Sequence, residues 1–355
     1  MKSIHILFIA VALFIILTAC SNKSLNPIFY TLENERALSE DRGLEDEMTI
    51  HEVVKAGSKY FAAANTLYAR TDSGNWSVIS PPVAGALCNT IEEFGGNLYA
   101  AFYTTGGSGL GLYYTDPDTI SWNQVPDANV QNVLVNFVKA AGPTYLFVSR
   151  EGGSSDYSLW YSDDPTLNAF VESLNLPTFP PGGSVPVTDV EHDGANYWVI
   201  AGPYLYSGAL NSLTEVAGGP TNPGTVSFGG LLYTTQMYLS TRDGDLWSYN
   251  GAWTGPTNVQ IDGEDVRFTG FVDTTGVTSD ILVGTEGSGY YELIGGDQTT
   301  TQRRPDYNLS ALYNGAINSF YLDTAPDPDI LFACTSGAGL WRADYTAGEW
   351  EWVQE

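Results

Sequence analysis

Basic residues, histidine and cysteine are all scarce in this chain of 355 residues. It has 14 Lys and Arg against 41 Asp and Glu, three His and three Cys. The imbalance leaves a formal net charge of −27. Neutralising phosphates takes clustered Lys and Arg, so nucleic-acid binding is disfavoured, and so is electrostatic attraction to an anionic bilayer. Charge of either sign is sparse, at 15% of residues against about 25% in average domains. The surface must therefore be carried by hydroxyls and amides, as in secreted β-proteins. Sustained 3.6-residue periodicity is missing too, which argues against helices.

What is present begins at the N-terminus. Lys2 precedes an apolar stretch, Ile4 to Leu17, interrupted only by His5. At about 14 residues it is shorter than the ~20 of a membrane-spanning helix and has the size of a secretory h-region. The stretch ends Leu17-Thr18-Ala19-Cys20, which resembles the lipobox of bacterial lipoproteins. The resemblance implies a signal peptide over 1–19 and a diacylglyceryl group on the thiol of Cys20, which becomes the new N-terminus. Several acyl chains, each contributing about 0.8 kcal/mol per buried methylene, hold a protein stably to a leaflet. Ser21 stands where Asp would favour inner-membrane retention, so the expected address is the outer membrane or cell surface. Residues 20–48 then form an acidic tether, with 28–32 expected to pack as a clasp and most of 33–47 to be solvated.

The remainder, 49–355, is repetitive. Leu67-Tyr68, Leu112-Tyr113, Leu159-Trp160, Leu205-Tyr206, Leu246-Trp247, Tyr290-Tyr291 and Leu340-Trp341 follow one another at intervals of 41 to 50 residues. A period of this length in a β-rich chain predicts an all-β fold: a seven-bladed β-propeller of four-stranded antiparallel blades. The units fall near 49–80, 88–126, 131–175, 186–218, 224–258, 266–304 and 315–355. Each opens with a short alternating run and continues with a strongly apolar second strand such as Tyr145-Leu146-Phe147-Val148. The third strand holds the Leu-aromatic pair. Gly111, Gly202, Gly244, Gly289 and Gly339 stand just before or within the start of five of these strands, where a tight hairpin needs positive φ. The loop through Pro177, Pro180 and Pro181 is the longest connection.

The turn Asp72-Ser73-Gly74-Asn75-Trp76 resembles a degenerate Asp-box of sialidase-like propellers, as do the openings Tyr114-Thr115-Asp116 and Tyr161-Ser162-Asp163. In that family the Asp-box is a structural turn, so the resemblance implies fold and not activity. A sialidase also needs a converging arginine cluster, and nothing in the pattern of the nine Arg brings one together.

Candidate chemistry is thin. Asp189, Glu191, His192 and Asp193 form the densest His/carboxylate cluster. In the repeat frame it falls at the end of a first strand and into the following turn before Gly194, and it is read as a polar turn. Asp323, Asp327 and Asp329 alternate with prolines and have hard oxygens suited to Ca²⁺, but lack the EF-hand order. Gly106-Gly107-Ser108-Gly109 and Gly152-Gly153-Ser154-Ser155 read as hairpin tips; phosphate cradling would need a following helix. No Gly-x-Ser-x-Gly elbow occurs. Cys88 is placed just before a first strand and Cys334 within a second strand, as two buried free thiols. No catalytic set, metal or cofactor is expected. The expected function is a monomeric, membrane-anchored envelope lipoprotein whose propeller binds a protein or a glycan without catalysis. The rival is a carbohydrate-active hydrolase or lyase, which two or more carboxylates with an Arg or His converging on the axis would favour. An envelope-assembly scaffold is a third reading.

Overall fold

A computed structural model of the chain describes residues 43–355 apart from 46, 143, 152–156, 168, 174–185, 217–219, 221–226, 262–263 and 305–308. Within it, seven four-stranded antiparallel sheets follow one another in sequence, each a simple up-and-down meander. The innermost strands are Glu52–Ala56, Leu87–Phe94, Val135–Ala141, Val187–His192, Phe228–Tyr233, Phe268–Asp273 and Ala316–Asp323. Each touches the next around a closed ring, and the last touches the first. This is the seven-bladed propeller that the spacing predicts. Among the described residues, helix is confined to one α-turn, Ser310–Tyr313, and one 3₁₀ turn, Ile294–Gly296. A short hairpin, Gln260–Ile261 with Glu264–Asp265, links blades 5 and 6.

All seven Leu-aromatic pairs lie on third strands. Their first members are buried in every blade, and they fill the wedges between neighbouring sheets. Second strands are buried on both faces, as in Tyr197–Ala201 and Ile281–Thr285, which is why they read as unbroken apolar runs. The five glycines singled out at the third strands all have positive φ, from 55° at Gly202 to 93° at Gly111. Gly106 to Ser108 form a hairpin tip, as expected. The 152–156 tip, the 177–182 loop, the lipobox and the 28–32 clasp lie outside the described residues.

The ring closes without exchanging strands between its ends. The chain before the first blade lies against the last one: Ile50 N–H donates to Thr335 O at 2.9 Å, and Gly339 N–H to Met48 O at 2.9 Å. Leu44 and Ile50 are buried with Trp76, Phe332 and Leu340. Of the stretch 33–47 expected to be mostly solvated, Gly43, Glu45 and Glu47 are exposed while Leu44 is buried, because a buried seam between blades 1 and 7 needs apolar cover. Residues 33–42 lie outside the described residues. Cys88 stands inside an inner strand rather than before it. It belongs to a different core cluster from Cys334, and both are free thiols.

Candidate ligand-binding site at the channel mouth

An innermost blade strand has a partner on one side only. Its other edge presents backbone N–H and C=O groups to the central channel, and these need partners. In this protein the neighbouring blade supplies them through side chains. Glu52 of blade 1 accepts from Ile91 N–H at 2.8 Å and from the Thr90 hydroxyl at 2.9 Å. Glu92 of blade 2 accepts from Ala140 N–H at 3.1 Å. Asp189 of blade 4 accepts from Leu231 N–H at 2.7 Å. Between blades 3 and 4 the link is ionic: Lys139 Nζ lies 2.6 Å from Asp189 and 2.8 Å from Glu191. On the far side Asn318 donates to Ile50 O at 2.7 Å and Ser319 to His51 O at 2.8 Å, tying blade 7 to blade 1.

These groups line a central cavity of about 860 Å³. Their carboxyls are partly buried in the channel wall, and burial shifts their protonation. It raises Glu52 and Glu92 to about 7, against the pull of their N–H donors. Burial alone would lower Lys139, but Asp189 and Glu191 outweigh it and hold the ammonium above its ordinary range. Burial raises Glu191, against the opposing pull of Lys139. Burial lowers His51, which favours its neutral form. At the rim Glu286 faces two guanidiniums, Arg242 at 3.5 Å and Arg267 at 3.6 Å.

The upper end of the channel is where inner strands begin and second strands end. There six of the seven inner strands break register at equivalent places. A β-bulge adds a residue that the second strand does not match, and re-aims the chain locally. The extra residues are Asn89, Asn136, Thr188, Gly229, Gly270 (with Thr269) and Asn318, and all line the cavity. His51 takes the corresponding place in blade 1, whose inner strand keeps register. Six blades thus contribute bulged residues to the channel mouth.

The candidates read from sequence are dispersed. Asp189 and Glu191 reach the channel, whereas His192 and Asp193 serve the turn after the strand. The His192 ring packs 4.4 Å from that of Tyr197, and Asp193 accepts from Ala195 N–H, Asn196 N–H and Trp198 Nε1. The cluster thus spans the end of the inner strand Val187–His192 and the turn that follows, and its two strand acids point to the channel. Asp323 binds Lys55 at 2.5 Å and the Tyr60 hydroxyl at 2.6 Å. Among the described residues no three His, Cys, Asp or Glu side chains are grouped to hold a metal ion. Within turns between third and fourth strands Asp116 accepts from Asp118 and Thr119 N–H, and Asp164, the residue after the expected Asp163, accepts from Thr166 N–H. Trp76 is buried and donates to Glu355 at 3.0 Å.

Glu92, Lys139 and the role of Glu52 are not singled out by sequence reasoning. A signal for two of them exists in the repeat frame. Ile91-Glu92, Val138-Lys139 and Val190-Glu191 occupy one register position in blades 2, 3 and 4. There the charged members pair with Tyr99, Phe147 and Trp198 of the second strands.

No family model and no curated protein matches this chain. Solved structures do. An ancestral GH74 enzyme superimposes with a TM-score of 0.62 at 13% identity, over 87% of this chain and 47% of that one. PorZ, a bacterial surface component of the type-IX secretion system of Porphyromonas gingivalis, gives 0.55 at 15% identity over 88% and 39%. The extracellular domain of a one-component system, BT4673 of B. thetaiotaomicron, gives 0.53 at 17% identity over 77% and 34%. The chain thus spans less than half the length of each of these three. Such identities establish the propeller fold alone.

Proposed function

We propose that this chain is a lipid-anchored lipoprotein of the bacterial cell envelope whose propeller is a non-enzymatic binding module, taking its ligand at the upper mouth of the channel. The observation that carries the reading is the state of the charged groups in the cavity wall. Glu52, Glu92 and Asp189 accept N–H bonds from the next blade, Lys139 is paired with Asp189 and Glu191, and Arg242 with Glu286. These side chains hold the ring together, and what the mouth offers a ligand is shape, amides and aromatic surface. The anchor rests on Leu17 to Cys20, and the surface or outer-membrane address on Ser21. That PorZ is a surface component and the BT4673 portion an extracellular domain supports such an address. The blade ring closes within one chain, which supports a monomer. The Asp-bearing turns, read as degenerate Asp-boxes, serve the fold.

Crosslinking from intact cells tests this reading. A partner captured by the wild type should be lost when the mouth is filled by Gly270→Leu. A capture profile unaffected by that substitution removes the mouth as the binding site.

One observation favours the rival. Glu52 and Glu92 both sit near pH 7, where a carboxyl can serve as a general acid, and Arg242 and His51 line the same cavity. A hydrolase or lyase acting on carbohydrate would release new reducing ends from a polysaccharide, and Glu52→Gln or Glu92→Gln would abolish the release. That result would replace the binding reading.

A further inference from the structure

Resting on the binding reading, we infer that the mouth takes a neutral, hydroxyl-rich ligand, a saccharide, seated between an amide wall on blades 2 and 3 and a bare glycine shelf on blade 6. The first observation is charge compensation. The cations lining the cavity face carboxylates, and Glu52 and Glu92 face backbone N–H groups. Inside the channel a charged ligand would have to break the Lys139 pairs with Asp189 and Glu191, whose members are largely buried, and that is costly.

The second observation is what the bulges deliver. On blades 2 and 3 they deliver Asn89 and Asn136, whose Oδ1 atoms are buried without a protein donor. The orientation of the first amide is set, because Asn89 Nδ2 donates to Val135 O at 3.0 Å. Two adjacent blades therefore keep, on residues that line the cavity, acceptors that call for O–H or N–H donors. Buried polar atoms without partners are uncommon in native proteins.

The third observation is the opposite wall. On blade 6 the bulge carries Gly270, and a Cβ built there meets nothing within 4 Å. The backbone is bare and the space before it open. Phe137 and Phe271 flank the two sides, and aromatic surface beside hydrogen-bonding amides suits a sugar ring, which has apolar C–H faces and a polar hydroxyl rim. A peptide strand would seek an unpaired strand edge to extend, and here side chains of the neighbouring blades already occupy much of the inner edge.

The test uses the full chain in detergent. Cellotetraose, xylotetraose, maltotetraose and chitotetraose are titrated by calorimetry beside a tetralysine control. At least one saccharide should bind with Kd below about 1 mM, and tetralysine should not. Asn136→Ala and Gly270→Leu should each weaken binding at least tenfold. The unfolding midpoint should stay in place, since Gly270 has open space and an ordinary φ. Absence of binding by all four sugars, tetralysine binding in their place, or wild-type affinity in both variants would overturn the inference. If no sugar binds while Gly270→Leu still abolishes crosslinked capture, the ligand class falls and the binding module stands.

Discussion

The carboxylate of Glu355, at the end of the last blade, lies 3.3 Å from the guanidinium of Arg70 in the first, and both side chains are fully buried. Trp76 Nε1 and Arg342 converge on the same carboxylate, and Arg70 sits over the rings of Tyr60, Trp76 and Phe332. One acid thus clasps the seam where the ring closes. Removing one partner of a buried pair strands the other charge, at about 3–5 kcal/mol. Glu355→Ala should lower unfolding free energy by that amount in urea titration. Glu355→Gln, which keeps an acceptor for Trp76, should cost less.

Glu52 and Glu92 should make the protein less stable as pH rises. Their folded values are about 7, raised above the ordinary carboxyl value. The folded state therefore holds their protons more tightly than the unfolded chain does. That contribution is complete below about pH 4.5 and is lost as pH climbs through 7. Glutamine can still accept the N–H bonds and carries no charge. Glu52→Gln and Glu92→Gln should each stabilise the protein at pH 8 by about 1–3 kcal/mol, allowing for screening by channel water, and should do little at pH 4.5. Destabilisation at pH 8 would show that the ionised form is required.

Asp323 works in the opposite sense. Burial opposes its charge, but Lys55, Tyr60 and Ala325 N–H outweigh burial and hold it below the usual carboxylate range. Its contribution is present above the unfolded carboxyl value and is lost as pH falls through the lower folded one. Asp323→Asn should cost about 2–3 kcal/mol at pH 7, and the deficit should shrink on acidification.

Neither core thiol should react while the protein is folded. Burial raises Cys334 to about 12 and pushes Cys88 up as well, so thiolate is scarce and inaccessible. Titration with Ellman's reagent should detect both only after denaturation. Fast labelling of the native protein would show that a blade opens.

Cys20→Ala should move the protein from the membrane pellet to the soluble fraction. Continued sedimentation with membranes would remove the lipid anchor.

The repeat made the propeller legible, because a blade is a local meander and its signals lie within about 45 residues. Apolar second strands, Leu-aromatic third strands and glycines of positive φ recur in nearly every unit, so their spacing alone predicted the fold. The site was not legible in the same way. Asn89 and Asn136 look like ordinary loop amides until strand register shows them bulged into one channel. His192 and Asp193 were legible as a turn, but the register shows that Asp189 and Glu191, in the same run, face the channel.

The sequence by itself determined the number of blades, the buried aromatics and the acidic balance, since each follows from local pattern or composition. Only the tertiary structure decided which charges meet. Lys139 finds Asp189 across 50 residues and Arg70 finds Glu355 across 285, because closing the ring brings inner strand beside inner strand and last blade against first. The edges that closure leaves facing the channel need partners, and that need places the acids there.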